Sequence, residues 1–359
     1  MKTILFRAGV LTVVAIGATF LLDPHRNYQL AIIAASFCAI AGLSLLIGLT
    51  GQLSLGHAVL MASGGYGYAL AAGPAANAGL DGIWLFLVGL LGAVLLSGSV
   101  GALLGLASAR LRGPYLAGLT LALVIALPAF TSQVRALGGA QGLTIGFVGV
   151  PEPLQTIMVP EQWHAWIAIL LASLAVTPLA LMRASRAGLR MQAVHGDETA
   201  ARLSGIAPGR VKVGAFVASA LSAGVGGAAL CIVTQSVVPG SYDLAFSLLL
   251  VVAAVIGGLG SIGGAAAGSV LVVILPWLID AAIAALGLPP AWEQRLSGNL
   301  GILVFGALLI AVMVLWPGGL AGAIQRAVAR RRAPSLSTHE NAEGATRTPA
   351  PTPHTITER

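Results

Sequence analysis

Apolar residues run along this chain in long blocks with little polar punctuation. Residues 27–80 contain no Asp, Glu, Lys or Arg, and neither do 82–109, 113–134, 162–182, 213–242, 244–279 and 296–325. A helix that crosses the hydrocarbon core of a bilayer needs about 20 mostly apolar residues. Most of these blocks meet that length. The longest exceed it, so they must fold back at Gly- and Pro-rich breaks such as 48–56. The pattern predicts spans near 5–22, 29–49, 55–72, 83–108, 115–134, 163–182, 213–236, 242–257, 264–283 and 298–316. The expected fold is therefore an all-α polytopic membrane protein of about ten transmembrane helices. The first apolar run follows Lys2 and Arg7, as in a signal peptide. It ends at Phe20, Leu21, Leu22, Asp23 and Pro24 with no small-x-small cleavage site, which favours a short first membrane helix.

Composition points the same way. Only 9% of the 359 residues are charged, against about 25% in soluble domains. Such a chain cannot cover a water-facing surface. The 47 glycines suit helices that approach closely in lipid. The net charge of +7 would suit nucleic acid, but its distribution says otherwise. With the N-terminus placed in the cytoplasm, sixteen basic residues fall inside and only Arg26, Arg135 and Arg295 fall outside. The inside set includes Lys2, Arg7, Arg110, Arg112, the cluster 183–212 and Arg326 onward. This is the positive-inside bias, and it predicts two cytoplasmic termini, contact with membrane lipid and no nucleic-acid partner. A transmembrane domain over 1–325 precedes a Pro-, Thr- and Ser-rich segment, 333–359, whose composition predicts a disordered cytoplasmic tail. Cys38 and Cys231 sit in apolar runs, as packing residues do, and no metal site is expected.

Candidate chemistry is sparse. Gly258, Gly260 and Gly263 form a G-x-G-x-x-G pattern after an apolar run, but a dinucleotide-binding helix has a wet face and 264–279 has none. A tight turn between two membrane helices is expected instead. Ser54 and His57 lie three apart, so on one helix they would share a face, which leaves an intramembrane hydrolase as a remote alternative. No catalytic group is assigned. The two lysines, Lys2 and Lys212, do not complete a P-loop. Asp243 and Asp280 fall near span ends, so no proton relay crosses the membrane. Uphill transport would draw its energy from another subunit. Gln52, Ser54 and His57 fall in a Gly-rich polar break. Such breaks are tolerated in membranes where protein or a water-filled cavity satisfies the backbone, so the segment either lines a solute pathway or merely caps helix ends. The basic loop 183–212 predicts a short amphipathic helix over 189–203, stopped by Gly205, which either docks on a partner or lies as a charged interfacial loop.

An ordered set of motifs now resembles one family. The stretch 48–57 (GLTGQLSLGH) with Gly64, Gly65 and Tyr66 is the most distinctive. It is followed by 112–115 (RGPY), by 138–143 (GGAQGL) and by Ser185 to Gly188. Asp197 and Glu198, Ala200 to Arg202, Gly205 and Ile206, and finally 256–264 (IGGLGSIGG) complete the set. Together they resemble the LivM-type permeases of branched-chain amino-acid ABC importers over about residues 30–320. The chain departs from that pattern at Leu189, Gln192 and His195, where many relatives are basic, and at Gly196 and Ala140.

The resemblance implies a core of two inverted five-helix halves. The sequence hints at them in the likeness of 48–57, after the second span, to 238–243, after the seventh. It implies a subunit that holds no cofactor, with ATP bound by two cytoplasmic ATPase partners. A paired permease and a periplasmic or lipid-anchored substrate-binding protein complete the complex in a bacterial inner membrane. Gln52, Ser54, His57 and Tyr66 would line the pathway. Arg190, Asp197, Glu198, Arg202 and Gly205 would couple it to the ATPase. A permease for urea, short amides or nucleosides, or a stand-alone facilitator, are the alternatives within transport.

Overall fold

The computed structural model describes residues 2–285, apart from 112 and 147, together with 306, 307, 310, 311, 319 and 322. The expected tenth span and the tail 333–359 lie outside the described residues, or nearly so. Eleven α-helices appear among those described: α1 (Lys2–Ala18), α2 (Pro24–Thr50), α3 (His57–Asn77), α4 (Gly82–Arg110), α5 (Pro114–Gln133), α6 (Pro160–Ala184), α7 (Arg186–Gly196), α8 (Glu198–Leu203), α9 (Pro208–Thr234), α10 (Leu244–Gly257) and α11 (Ile262–Ala285). Eight helical stretches among the described residues are long and apolar enough to cross a membrane, and the chain is an all-α, multi-pass membrane protein. Helix α3, with four Gly and two Tyr, is less apolar than those eight and is mostly buried.

Two long helices form the centre. Within its most apolar window α9 is 78% buried, whereas α1 is 6% buried on the outside. Helices α2 and α9 run antiparallel: Ser222 Oγ donates to Cys38 O at 2.7 Å, Gly226 lies against Ala35, and Gly42 lies against Ser219. Helix α3 runs parallel to α9, with His57 beside Ser219 and Gly64 beside Gly224. The α3–α9 approach depends on missing side chains, since a Cβ on Gly64 would sit 2.0 Å from Gly224 O and one on Gly227 1.8 Å from Met61 O. Lipid tails are as apolar as Leu, so such backbone proximity replaces hydrophobic burial as the source of cohesion. Helix α4 covers the α3–α9 pair, α6 packs on α2, and α10 and α11 close the other side.

Several expectations shift. The glycines at 258–263 do form a tight turn, joining α10 to α11, with Gly258 and Gly260 at positive φ. Gly48 does not belong to the break after α2. It lies within that helix, where a Cβ would come within 2.2 Å of Gly260 N, and the helix continues to Thr50. The single helix expected over 189–203 is two. Asp197 adopts an extended conformation (φ −154°, ψ 114°), and its Oδ1 accepts the N–H groups of Thr199 and Ala200, so it caps a new helix and cannot continue the old one. Gly205, at φ 78°, follows the end of α8. The N-terminal helix docks on α6: Trp166 Nε1 and Thr12 Oγ1 bridge the two through Thr19 and Ser173 at 2.9 Å each.

Candidate solute pathway

Helix α2 ends where Gly51 turns left-handed (φ 66°). From there the six residues 51–56 run without helix or strand to His57. Their burial alternates: Gln52, Ser54 and Gly56 are buried, while Gly51 and Leu53 are exposed and Leu55 is half-buried. This two-residue period places the polar side chains inward. The segment also changes depth. Gly51 sits against the His195 ring of α7. His57 sits beside Ser219, eleven residues into α9 and about 17 Å from the start of that helix at 1.5 Å per residue. Helix α3 thus begins near the middle of the bundle.

A start at that depth leaves unsatisfied backbone groups in an apolar setting. Two hydroxyls from distant helices satisfy them. Ser247 Oγ of α10 donates to Leu55 O at 2.6 Å and accepts Ala58 N–H at 3.3 Å. Thr120 Oγ1 of α5 accepts Leu55 N–H at 3.0 Å. Gly56 permits this contact, since a Cβ there would meet Thr120 O at 2.2 Å. The α10 N-terminus is itself capped by Asp243, whose Oδ1 accepts Phe246 N–H at 2.8 Å. Two helix starts therefore meet within the bundle.

Below the break lies a cavity of about 760 Å³. Thr50 and the break form one wall, Leu111, Pro114 and Ala117 a second, and Val194, His195 and Glu198 of α7–α8 a third, with Lys212 of α9 closing it. Lys212 is buried and forms an ion pair with Glu198. Gln52 Nε2 donates to Thr50 Oγ1 at 3.0 Å, while Gln52 Oε1 and Ser54 Oγ are buried without a hydrogen-bond partner.

The expected pathway residues are placed unequally. Gln52 lines the cavity, whereas Ser54, His57 and Tyr66 are buried above it and do not. Ser54 and His57 are not on one helix, because α3 starts at His57 and Ser54 precedes it in the non-helical break. His57 Nε2 faces Ser219 Oγ at 3.4 Å, and Ser54 Oγ pairs with nothing, so the Ser–His pair of a hydrolase is not formed. Of the expected coupling residues, Arg190, Asp197, Arg202 and Gly205 are exposed, while Glu198 turns inward to Lys212. Thr120, Ser219, Ser247 and Lys212 escaped sequence reasoning. Ser247 carried the one usable signal, a hydroxyl one turn beyond Asp243 in a very apolar helix.

Comparison with known proteins agrees with this architecture. A family model described as the branched-chain amino acid transport system permease component matches residues 27–313. The high-affinity branched-chain amino acid transport system permease protein LivM of Salmonella typhimurium is 28% identical over 306 residues, covering 78% of this chain and 66% of that protein. LivM of Escherichia coli is 27% identical over 307 residues with the same coverage. The chain thus spans just under two thirds of the length of these curated relatives. No solved structure matches it. With a family match that runs from the start of α2 past the end of α11, the chain belongs to the permease-component family of branched-chain amino acid transport systems.

Proposed function

We propose that this chain is the membrane-spanning permease subunit of an ATP-binding-cassette importer that moves branched-chain amino acids across a bacterial inner membrane. One observation carries the reading. A hydroxyl-clamped break in the middle of the bundle stands over a cavity walled in part by the two short helices α7 and α8. Movement of α7 and α8 would reach the break directly through the contact of His195 with Gly51. Leu189 and Leu203 are 66% and 87% exposed on these otherwise polar helices, which suits docking on a partner. That partner is an ATPase, which binds the ATP; Arg190, Arg202 and Gly205 lie on the exposed side with the two leucines. A second permease, a second ATPase and a periplasmic or lipid-anchored binding protein complete the assembly.

The charge bias supports a cytoplasmic position for α7, α8 and both termini. Ten helices in two inverted halves fit the parallel between α2 and α9. Both are 27 residues long, they run antiparallel, and each ends in a left-handed residue, Gly51 (φ 66°) and Gln235 (φ 58°). The path runs past Gln52, Ser54, His57 and Tyr66. It is shut above Leu55 in this conformation, where the cavity ends. Reconstitution with the ATPases and the binding protein tests the reading. L-leucine, L-isoleucine and L-valine should accumulate only with ATP. Uptake of urea, a short amide or a nucleoside in their place would overturn the substrate, and uptake without ATP would overturn the importer.

A further inference from the structure

We propose that Gln52 is the solute's ammonium contact at the inner side of the break: its side-chain carbonyl oxygen accepts N–H bonds from the protonated amine of an amino acid in the cavity beneath it. This rests on the reading of the chain as an amino-acid permease and deepens it by naming the group that the solute presents to the path. The amide of Gln52 is held in one orientation. Thr50 Oγ1 donates its single proton to Leu46 O at 2.6 Å, so toward Gln52 it can only accept, and it takes Nε2–H at 3.0 Å. The NH2 end of the amide is thereby fixed on Thr50, and Oε1 faces away from it. Gln52 is 5% exposed and lines the cavity, yet Oε1 has no hydrogen-bond partner. A buried acceptor in that state carries its full desolvation cost, which a donor arriving from the cavity relieves.

The chemistry of that oxygen sets the selectivity. It attracts N–H groups and repels the oxygens of a carboxylate. An ammonium bonds to it more strongly than a neutral N–H does, because the bond is charge-assisted. The break at 51–56 contains no acidic residue, so the ammonium meets a dipole there and not a counter-charge, and it leaves without breaking an ion pair. Lys212 and Glu198, also in the cavity wall, are engaged with each other and stay so. Ser54 Oγ, the other buried side-chain atom of the break without a partner, offers the ammonium its preceding contact on the way in. Leu53, Leu55, Leu111 and Leu116 supply apolar wall for an aliphatic side chain, and about 760 Å³ leaves room for a small amino acid with water.

The test uses the complete complex in proteoliposomes, carrying Leu111→Cys at the cavity wall. The native Cys38 and Cys231 are fully buried and give a low background. L-leucine and 3-methylbutylamine, which carry the ammonium, should each slow alkylation of the introduced thiol by a membrane-permeant maleimide about threefold or more. At equal concentration 4-methylpentanoate, which lacks it, should slow alkylation less than about 1.5-fold. Gln52→Leu in the same background should remove the protection by L-leucine. Gln52→Glu, which keeps an acceptor oxygen at that place, should retain it. Equal loss in both variants would mark a packing role and overturn the site, as would unchanged protection in Gln52→Leu. Should Gln52→Leu fail to assemble, the comparison of amine with acid in the Gln52 parent decides alone: protection by 4-methylpentanoate equal to that by 3-methylbutylamine overturns the site. ATP-driven uptake of L-leucine in the same vesicles separates the two failures. Uptake without protection overturns this site alone, and neither uptake nor protection overturns the transport reading with it.

Discussion

The breaks after α2 and after α9 begin alike and end differently. Each follows a 27-residue helix that closes on a left-handed residue. The break at 235–243 is then stitched from outside. Leu143 and Thr144 pair with Val237 and Ser236 in a two-stranded antiparallel ribbon, Ile145 N–H reaches Gln235 O at 3.0 Å, and a short 3-10 turn over Pro239–Tyr242 leads into the Asp243 cap. Its backbone is largely occupied by backbone. The break at 51–56 has no such ribbon. Its backbone is held by single hydroxyls of Thr120 and Ser247, and two of its side chains keep buried polar atoms without partners. A segment held at few points, with polar capacity to spare, can exchange partners at low cost. The ribboned segment cannot. On the proposed function the first break is the part that moves and the second is the frame it moves against.

Glycine substitutions separate the two most sharply. Gly142 lies at φ 76°, and a Cβ there would sit 2.1 Å from Val237 O. Gly142→Ala should cost about 1–3 kcal/mol for the collision and about 1–2 kcal/mol more for the left-handed backbone, visible as the largest drop in melting temperature. Gly56→Ala meets Thr120 O at 2.2 Å without that backbone term. It should lower stability less, by about 1–3 kcal/mol, yet reduce uptake more for each degree of melting temperature lost. The opposite ranking in uptake would place the moving part in the second break.

Hydroxyl removal comes next. Ser247→Ala leaves Leu55 O and Ala58 N–H buried without their partner and should cost about 1–3 kcal/mol in thermal or denaturant unfolding. Thr120→Val, close in shape, should cost a similar amount. Both act on Leu55, so the double variant should depart from additivity by about 0.5 kcal/mol or more. Strict additivity would show that the two clamps do not hold one unit. At the second break Asp243→Ala removes a single cap and should cost about 1 kcal/mol. The smallest effect is Ser54→Ala. Its hydroxyl has no partner to lose, so stability should change by less than about 0.5 kcal/mol.

Much of this frame is readable along the chain, because in a membrane the span length and the charge between spans are local quantities. The helices α2, α4, α5, α6 and α9 each fall within a few residues of the expected spans. The turn of Gly258 to Gly263 follows from the lack of a wet face beyond it. Other features need distance in sequence to be folded away. The clamp brings residue 55 to residues 120 and 247, and no pattern near Leu55 announces it. Gly48 reads as part of a break and proves to be a contact surface for Gly260, because a glycine has the same local signature in either role. Asp197 reads as one position in an amphipathic run. Its cap on α8 and the resulting turn of Glu198 toward Lys212 depend on where α9 begins. The expected tenth span and the tail lie outside, or almost outside, the described residues and add nothing to this comparison.

On the proposed function the first break, and not the second, lines the moving path. Cysteine placed at Ser54 and, separately, at Ser236 tests it most directly in the complete complex, with small water-soluble thiol reagents applied in the nucleotide-free, ATP-bound and ADP-bound states. Ser54→Cys, fully buried here, should become reactive in at least one nucleotide state, and the reactivity of Ser236→Cys should stay the same in all three. A thiol at 54 that remains unlabelled in every state, while the one at 236 changes with nucleotide, would contradict it.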